Sequence, residues 1–250
     1  MEQQYPPRRI DPELAGRLSE RGAELAQGDA FGSAEKLPGL IVGVLNFALT
    51  LEYLEAEFYT KATSTPGLIP PDVRDVFDEI RRHETEHVEY LQGILGNRAV
   101  AKPGFDFTGG KGQGNGPFGD VFQNPKTFLA LSQAFEDTGV RAYKGQAANL
   151  MGDGDILEAA LTIHSVEARH ASLVRHIRGD KGWISQSSRG SLPRETQRTY
   201  KGEDNSFHIL TAWLGGGAGG GDIGGTEAFD EPLTKWDVMK IVRPFLAKGG

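Results

Sequence analysis

The chain has 250 residues, 38% hydrophobic and 24% charged, enough apolar material for one sizeable core in a single domain. A formal charge of -7 gives no basic field to attract a phosphate backbone or an anionic membrane, so neither nucleic acid nor membrane is an expected partner. Without cysteine there is no disulfide framework, thiolate metal site or thiol nucleophile, and any metal must rest on carboxylates and imidazoles.

Taken in chain order, residues 1–35 form an N-terminal extension in which Asp11 to Gln27 predicts a short amphipathic helix. The stretch from Met1 to Ala30 lacks the apolar segment of a secretory signal, and Arg8-Arg9 has no hydrophobic run behind it. A cytoplasmic protein is expected from the chain as given, with secretion of a longer precursor left open. The first long helical window starts at Pro38 and closes over Thr63 to Gly67; its apolar stretch, Leu37 to Leu51, runs into Glu52 and falls short of the roughly 20 residues a membrane span needs. A second window runs from Asp72 to Gly96-Asn97, a third from Asn124-Pro125 to the Gly152–Gly154 stretch, and a fourth from Asp153 to Gly179. Between the second and third, Pro103 to Gly119 lacks the Gly-Lys-Ser/Thr of a phosphate loop and predicts a flexible crossover with the reach to cover one end of a bundle. Residues 181–250 make a polar, glycine-rich extension packing on that bundle, helical again over Leu233 to Ala247. Gly215, Gly217 and Gly220 spell G-x-G-x-x-G there, but no helix opens on the loop, so no nucleotide site is expected.

One spacing occurs twice within residues 36–180. Glu52 is followed seven residues later by Tyr59 and then by Glu84-Thr85-Glu86-His87, while Glu136 is followed seven residues later by Tyr143 and then by Glu167-Ala168-Arg169-His170. The interval from Glu52 to Glu84 matches that from Glu136 to Glu167 to within one position. Three residues turn a helix by about 300° and lift it about 4.5 Å, so Glu84 and His87 share a face, as do Glu167 and His170. The stripes continue in Leu45, Leu49, Ile80, Leu91, Leu129, Ile163 and Val174, which puts the charged residues on buried faces. Tyr59 and Tyr143 stand two turns from Glu52 and Glu136, in reach of a metal-bound glutamate. Glu55, Glu57, Glu86 and Glu89 are expected at the surface, and His83 and His164 are expected not to ligate, with a supporting place beside the ligands left open for either.

Counted from the helix starts at Pro38, Asp72, Asn124 and Asp153, the four glutamates Glu52, Glu84, Glu136 and Glu167 all fall near mid-helix. Two short connections and one of about 28 residues give an up-down-down-up four-helix bundle with a long crossover between the second and third helices and a pseudo-two-fold axis relating its halves. Burying four unpartnered carboxylates costs several kcal/mol each, a cost that two divalent cations remove. A carboxylate on one helix and Glu-x-x-His on the next, given twice, is the ligand set of a carboxylate-bridged dinuclear site, and oxygen plus imidazole suits iron or manganese.

The segments NFALTLEYLEAEFY (Asn46 to Tyr59), HETEHVEYL (His83 to Leu91), AFEDTGVRAY (Ala134 to Tyr143) and IHSVEARHASLV (Ile163 to Val174) resemble the ferritin-like superfamily, and within it the bacterial ferritin-like proteins related to plant desiccation-related proteins. The resemblance implies an all-α fold with Glu52, Glu84, His87, Glu136, Glu167 and His170 as metal ligands. Many bacterioferritin-like sites carry an acidic residue just before each Glu-x-x-His; His83 and Val166 stand at those positions here. Relatives on this fold include ferroxidases, peroxidases, manganese catalases and ribonucleotide reductase subunits. The expected function is a dinuclear iron or manganese oxidoreductase acting on hydrogen peroxide or dioxygen, in peroxide or stress protection. The alternatives are an iron oxidation and sequestration protein, or a non-catalytic desiccation-related protein with a metal-clamped bundle, and homo-oligomerisation is compatible with each.

Overall fold

The computed structural model describes residues 37–205 and 226–247. The expected helix at Asp11 to Gln27 and the glycine run at 215–220 lie outside the described residues. Four long helices, α1 (Gly39–Thr63), α2 (Arg74–Leu95), α3 (Pro125–Ala147) and α4 (Gly154–Ile177), are followed by a short one, α5 (Lys235–Val242). The bundle is up-down-down-up, α1 pairing with α2 and α3 with α4. Asn124 caps α3 by accepting from Lys126 N (3.0 Å), with Pro125 at the first helical position. Asp153 caps α4 by accepting from Ile156 N (3.2 Å). The second helix starts two residues later than its sequence signal, because Pro71–Val73 forms a 3-10 turn ahead of Arg74.

The bundle interior divides into two hydrophobic clusters. Around the end where α1 and α4 finish, Phe58, Tyr59, Phe77, Phe128 and Phe135 pack ring on ring. At the opposite end the filling is aliphatic, with Val44, Leu45, Leu91, Ile94, Ala160 and Ile163. By length and hydropathy α1 alone among the described helices suits a membrane span, yet 61% of that stretch is buried inside the protein. It is a core helix, as its two buried glutamates require.

The crossover ascends α1 in register. Asn46 donates to Arg98 O (2.9 Å) and accepts from Val100 N (2.6 Å), Glu57 pairs with Lys102 (2.9 Å), and Lys61 sits over the Phe107 ring. Its glycine-rich part is not a free loop. Asp106 accepts from the backbone N–H groups of Thr108, Gly112 and Gly114, and Asp106 N donates to Phe245 O (2.7 Å), tying the loop to the C-terminal segment. The isolated bridge Phe105–Leu246 is the one extended pairing among the described residues.

The C-terminal segments lie against α3. Arg141, with no exposed surface, pairs with Glu203 (2.7 Å) and donates to the carbonyls of Glu231, Thr199 and Lys201. Leu233 crosses α3 so closely that a Cβ on Gly145 would lie 1.9 Å from Leu233 O, which glycine alone permits. The helix expected over Leu233 to Ala247 is α5 plus a 3-10 turn at Arg243–Phe245.

Candidate metal centre

All six predicted residues meet at mid-bundle, one carboxylate from each long helix and both imidazoles, each buried. Two groups of donor atoms form there, Glu52, Glu84, His87 and Glu167 in one and Glu84, Glu136, Glu167 and His170 in the other, each group within 4.8 Å. Glu84 and Glu167 belong to both, while Glu52 with His87 and Glu136 with His170 take the two flanks. His87 Nδ1 lies 3.2 Å from Glu52 Oε2, 3.2 Å from Glu84 Oε2 and 3.4 Å from Glu167 Oε1. His170 Nδ1 lies 2.8 Å from Glu84 Oε1 and 3.2 Å from Glu136 Oε2. Convergence follows from helical phase: each Glu-x-x-His presents both side chains on one stripe, and every stripe faces the bundle axis.

The tyrosines cross between the halves. Tyr59 on α1 donates to Glu136 Oε1 on α3, and Tyr143 on α3 donates to Glu52 Oε1 on α1. Each two-turn spacing therefore serves the glutamate of the opposite helix, orienting it and leaving its second oxygen free to face the imidazole. His83, 29% exposed at its side chain, is stacked on His170 with its Nδ1 2.9 Å from His170 Nε2, and its Nε2 is 3.1 Å from Glu79. The pseudo-equivalent residue, Val166, offers no such partner to His87.

Glu55 corrects the surface assignment made from the sequence. It is 3% exposed and points into the bundle, whereas Glu86 and Glu89 are exposed and Glu57 is half-buried between Lys61 and Lys102. The signal was present, since Glu52 to Glu55 is the same interval as Glu84 to His87. Its pseudo-equivalent on α3 is Gly139, where a Cβ would lie 2.7 Å from Glu167 Oε2 and 3.5 Å from Glu55 Oε1. Glycine at 139 thus makes room for both carboxyl groups. The sequence left His83 room for a supporting role but did not give its partner, His170, because that contact depends on how α2 and α4 meet.

Electrostatics show what the centre lacks. Burial and then the neighbouring carboxylates push Glu167 and Glu55 well above the usual carboxyl range, and burial lifts Glu52 to about 7 despite His87. Burial also raises Glu136. Burial acts against protonation of His170, but Glu136 and Glu84 outweigh it and bring the imidazole to about 11; His87 is raised likewise, chiefly by Glu52. Glu84 goes the other way, burial being outweighed by the two imidazoles. Protons thus occupy part of a place shaped for positive charge. Glu84 Oε1, Glu136 Oε2, both oxygens of Glu167 and His170 Nδ1 are buried without a hydrogen-bond partner among the described residues, although Nδ1 is within 3.2 Å of two of those oxygens. Close atoms whose lone pairs converge rather than point at one another suit a cation between them. The residues fit metal ions.

Residues 41–180, over half of the chain, match the family model described as a ferritin-like domain. No curated protein matches the chain.

Proposed function

The chain belongs to the ferritin-like domain family, and on that premise we propose that its centre holds two metal ions, iron or manganese, in an oxidoreductase acting on hydrogen peroxide or dioxygen. The observation that carries this reading is the pair of donor groups sharing Glu84 and Glu167. Glu52 with His87 would hold one ion and Glu136 with His170 the other, the shared carboxylates bridging them. Four carboxylates balance two divalent charges, and hard oxygen with neutral imidazole nitrogen suits iron and manganese. Bound there, the pair supplies two one-electron changes of oxidation state, the number that peroxide or dioxygen takes up in its first two-electron reduction.

The surrounding residues do the rest. Tyr59 and Tyr143 hold the flanking glutamates in place, and His83 accepts from or donates to His170 Nε2, fixing which imidazole nitrogen faces the carboxylates. The aromatic cluster beside Tyr59 keeps water from one end. The side chains of the centre nearest to water are those of His87, 11% exposed, and His83 beside His170, 29% exposed. Disproportionation of two peroxide molecules to two waters and dioxygen needs no external reductant, which suits a chain without cysteines for an electron-transfer cluster of its own, and peroxide protection under stress is the physiological form of this reading. The test is oxygen evolution from peroxide by the manganese- or iron-loaded protein against Glu136→Ala, with elemental analysis of both. Evolution by the native chain alone is expected; evolution no greater than that of the variant rejects the catalase-like form.

A further inference from the structure

The pseudo-two-fold relation holds for the ligands and tyrosines but fails in the packing around them. At equal distances along the chain from Glu52 and Glu136, Phe58 stands opposite Ala142, Phe128 opposite Val44 and Phe135 opposite Leu51; at equal distances from Glu84 and Glu167, Phe77 stands opposite Ala160. The four phenylalanines gather at the Tyr59 end, with ring centroids 5.4 Å apart for Phe58 and Phe128, 5.1 Å for Phe58 and Phe135, and 5.0 Å for Phe77 and Phe128. Their four smaller counterparts all line a cavity at the Tyr143 end, about 20 Å³ in volume, room for one water-sized molecule. One ring, Phe47, also lines the cavity and stands opposite the smaller Leu131, so the asymmetry is a net one of four rings against one.

The cavity lies one helical turn from the metal centre. Ala48 precedes Glu52 by four residues, Ile163 precedes Glu167 by four, and Leu91 follows His87 by four, and all three line it. Its lining is almost wholly carbon. The polar side chains are Gln146 and Tyr143, and the Tyr143 hydroxyl is already given to Glu52. Water needs two to four polar partners to occupy such a space, and peroxide must satisfy two hydroxyl groups. A diatomic apolar gas needs none.

We propose that this chamber is a dioxygen-binding site at the Tyr143 end of the centre. The inference rests on the reading of the centre as an oxidoreductase, in which dioxygen is the product of peroxide disproportionation or the oxidant itself. The carbon lining disfavours peroxide, whose two hydroxyl groups would go without partners there.

The test is methyl NMR of the full chain, metal-free or loaded with diamagnetic zinc, under dioxygen pressure and under argon. Dioxygen is paramagnetic, so the methyl groups of Ala142, Ala160, Leu45 and Ile163 are expected to relax several-fold more strongly than equally buried methyls at the aromatic end, such as those of Ile80 and Leu131. Equal enhancement at both ends, or cross-relaxation from a water resident in the chamber, overturns the proposal. Ala142→Phe, which restores the ring present in the other half, should abolish the local effect, and the milder Ala160→Val should reduce it; an undiminished effect in a folded variant also overturns it. Because the readout involves no metal turnover, a silent catalase assay with a positive dioxygen effect sinks the reaction and leaves the chamber, and the reverse pair of results does the opposite.

Discussion

The two helical hairpins carry the same inward carboxylates and imidazole and meet different surroundings. On α1, the positions one and five residues after Glu52 are Tyr53 and Glu57, which bond to the crossover at Val100 and Lys102 near the surface. On α3, the matching positions after Glu136 are Asp137 and Arg141, both buried under the C-terminal segments. Asp137 takes a bidentate pair from Arg175 (3.1 and 2.6 Å) and the Tyr200 hydroxyl (2.7 Å), while Arg141 holds Glu203 and three carbonyls. Convergence of the six carboxylate and imidazole side chains at mid-bundle fixes the inward stripe in both halves; the outward faces are free to diverge. One half became a seat for the crossover and the other a seat for buried charge.

The sharpest way to break the likeness of the halves is to remove what they share. Glu84→Ala deletes a carboxylate common to both donor groups, and elemental analysis should show both ions lost, whereas Glu136→Ala should spare the Glu52 and His87 flank in part. Equal stoichiometry in the two variants would deny Glu84 its bridging place.

The unlike outer faces separate next. Arg141→Met leaves Glu203 buried without its partner, and unfolding by urea should show a loss of about 3–5 kcal/mol, with early proteolysis of the C-terminal segment. Glu57→Gln on the other half, half-exposed between two lysines, should cost no more than about 1 kcal/mol. A difference in pH response follows from the centre itself. In the metal-free protein the folded state holds Glu52 near 7 against an ordinary 4.5, so its contribution to stability is present below 4.5 and is lost as pH rises through 7. His170, raised from 6.5 to about 11, has the same sign over a higher window. Metal binding requires these groups unprotonated, so the rise in Tm on adding metal should widen from about pH 5 to about pH 8. Parallel Tm curves with and without metal would contradict a site built on these six side chains.

The reciprocal tyrosines give a smaller and symmetric effect. Tyr59→Phe and Tyr143→Phe each free one glutamate oxygen, and each should weaken metal binding by about 10- to 100-fold in competition titrations against a chelator. An effect confined to one variant would show that the halves differ at the centre too.

What could be read from the sequence follows the range of the forces involved. Helices, their ends and the six converging residues depend on local period and on a spacing repeated within one chain, both visible in letters. The docking of Asp106 on Phe245 and of Arg141 on Glu203 joins segments far apart in sequence, with no periodic trace. Glu55 failed for another reason: a residue at the border of a helical stripe is inside or outside according to the size of its neighbour across the bundle, and that neighbour is a glycine.

The smallest expected effect is the most discriminating for that border. Glu52 and Glu55 are the same residue type three positions apart on one helix, both buried, yet Glu52 lies in a donor group and Glu55 does not. Burial, with Glu167 and the other carboxylates nearby, pushes Glu55 well above the usual carboxyl range, so an amide of the same shape is a mild replacement there. Glu55→Gln should change the unfolding free energy of the metal-free protein by less than about 1 kcal/mol and leave metal stoichiometry intact, while Glu52→Gln removes an anionic donor and should lower occupancy of its flank. Loss of metal from Glu55→Gln as large as that from Glu52→Gln would place Glu55 among the ligands and make the α1 half the richer one, with Gly139 the point at which the two halves of the centre part.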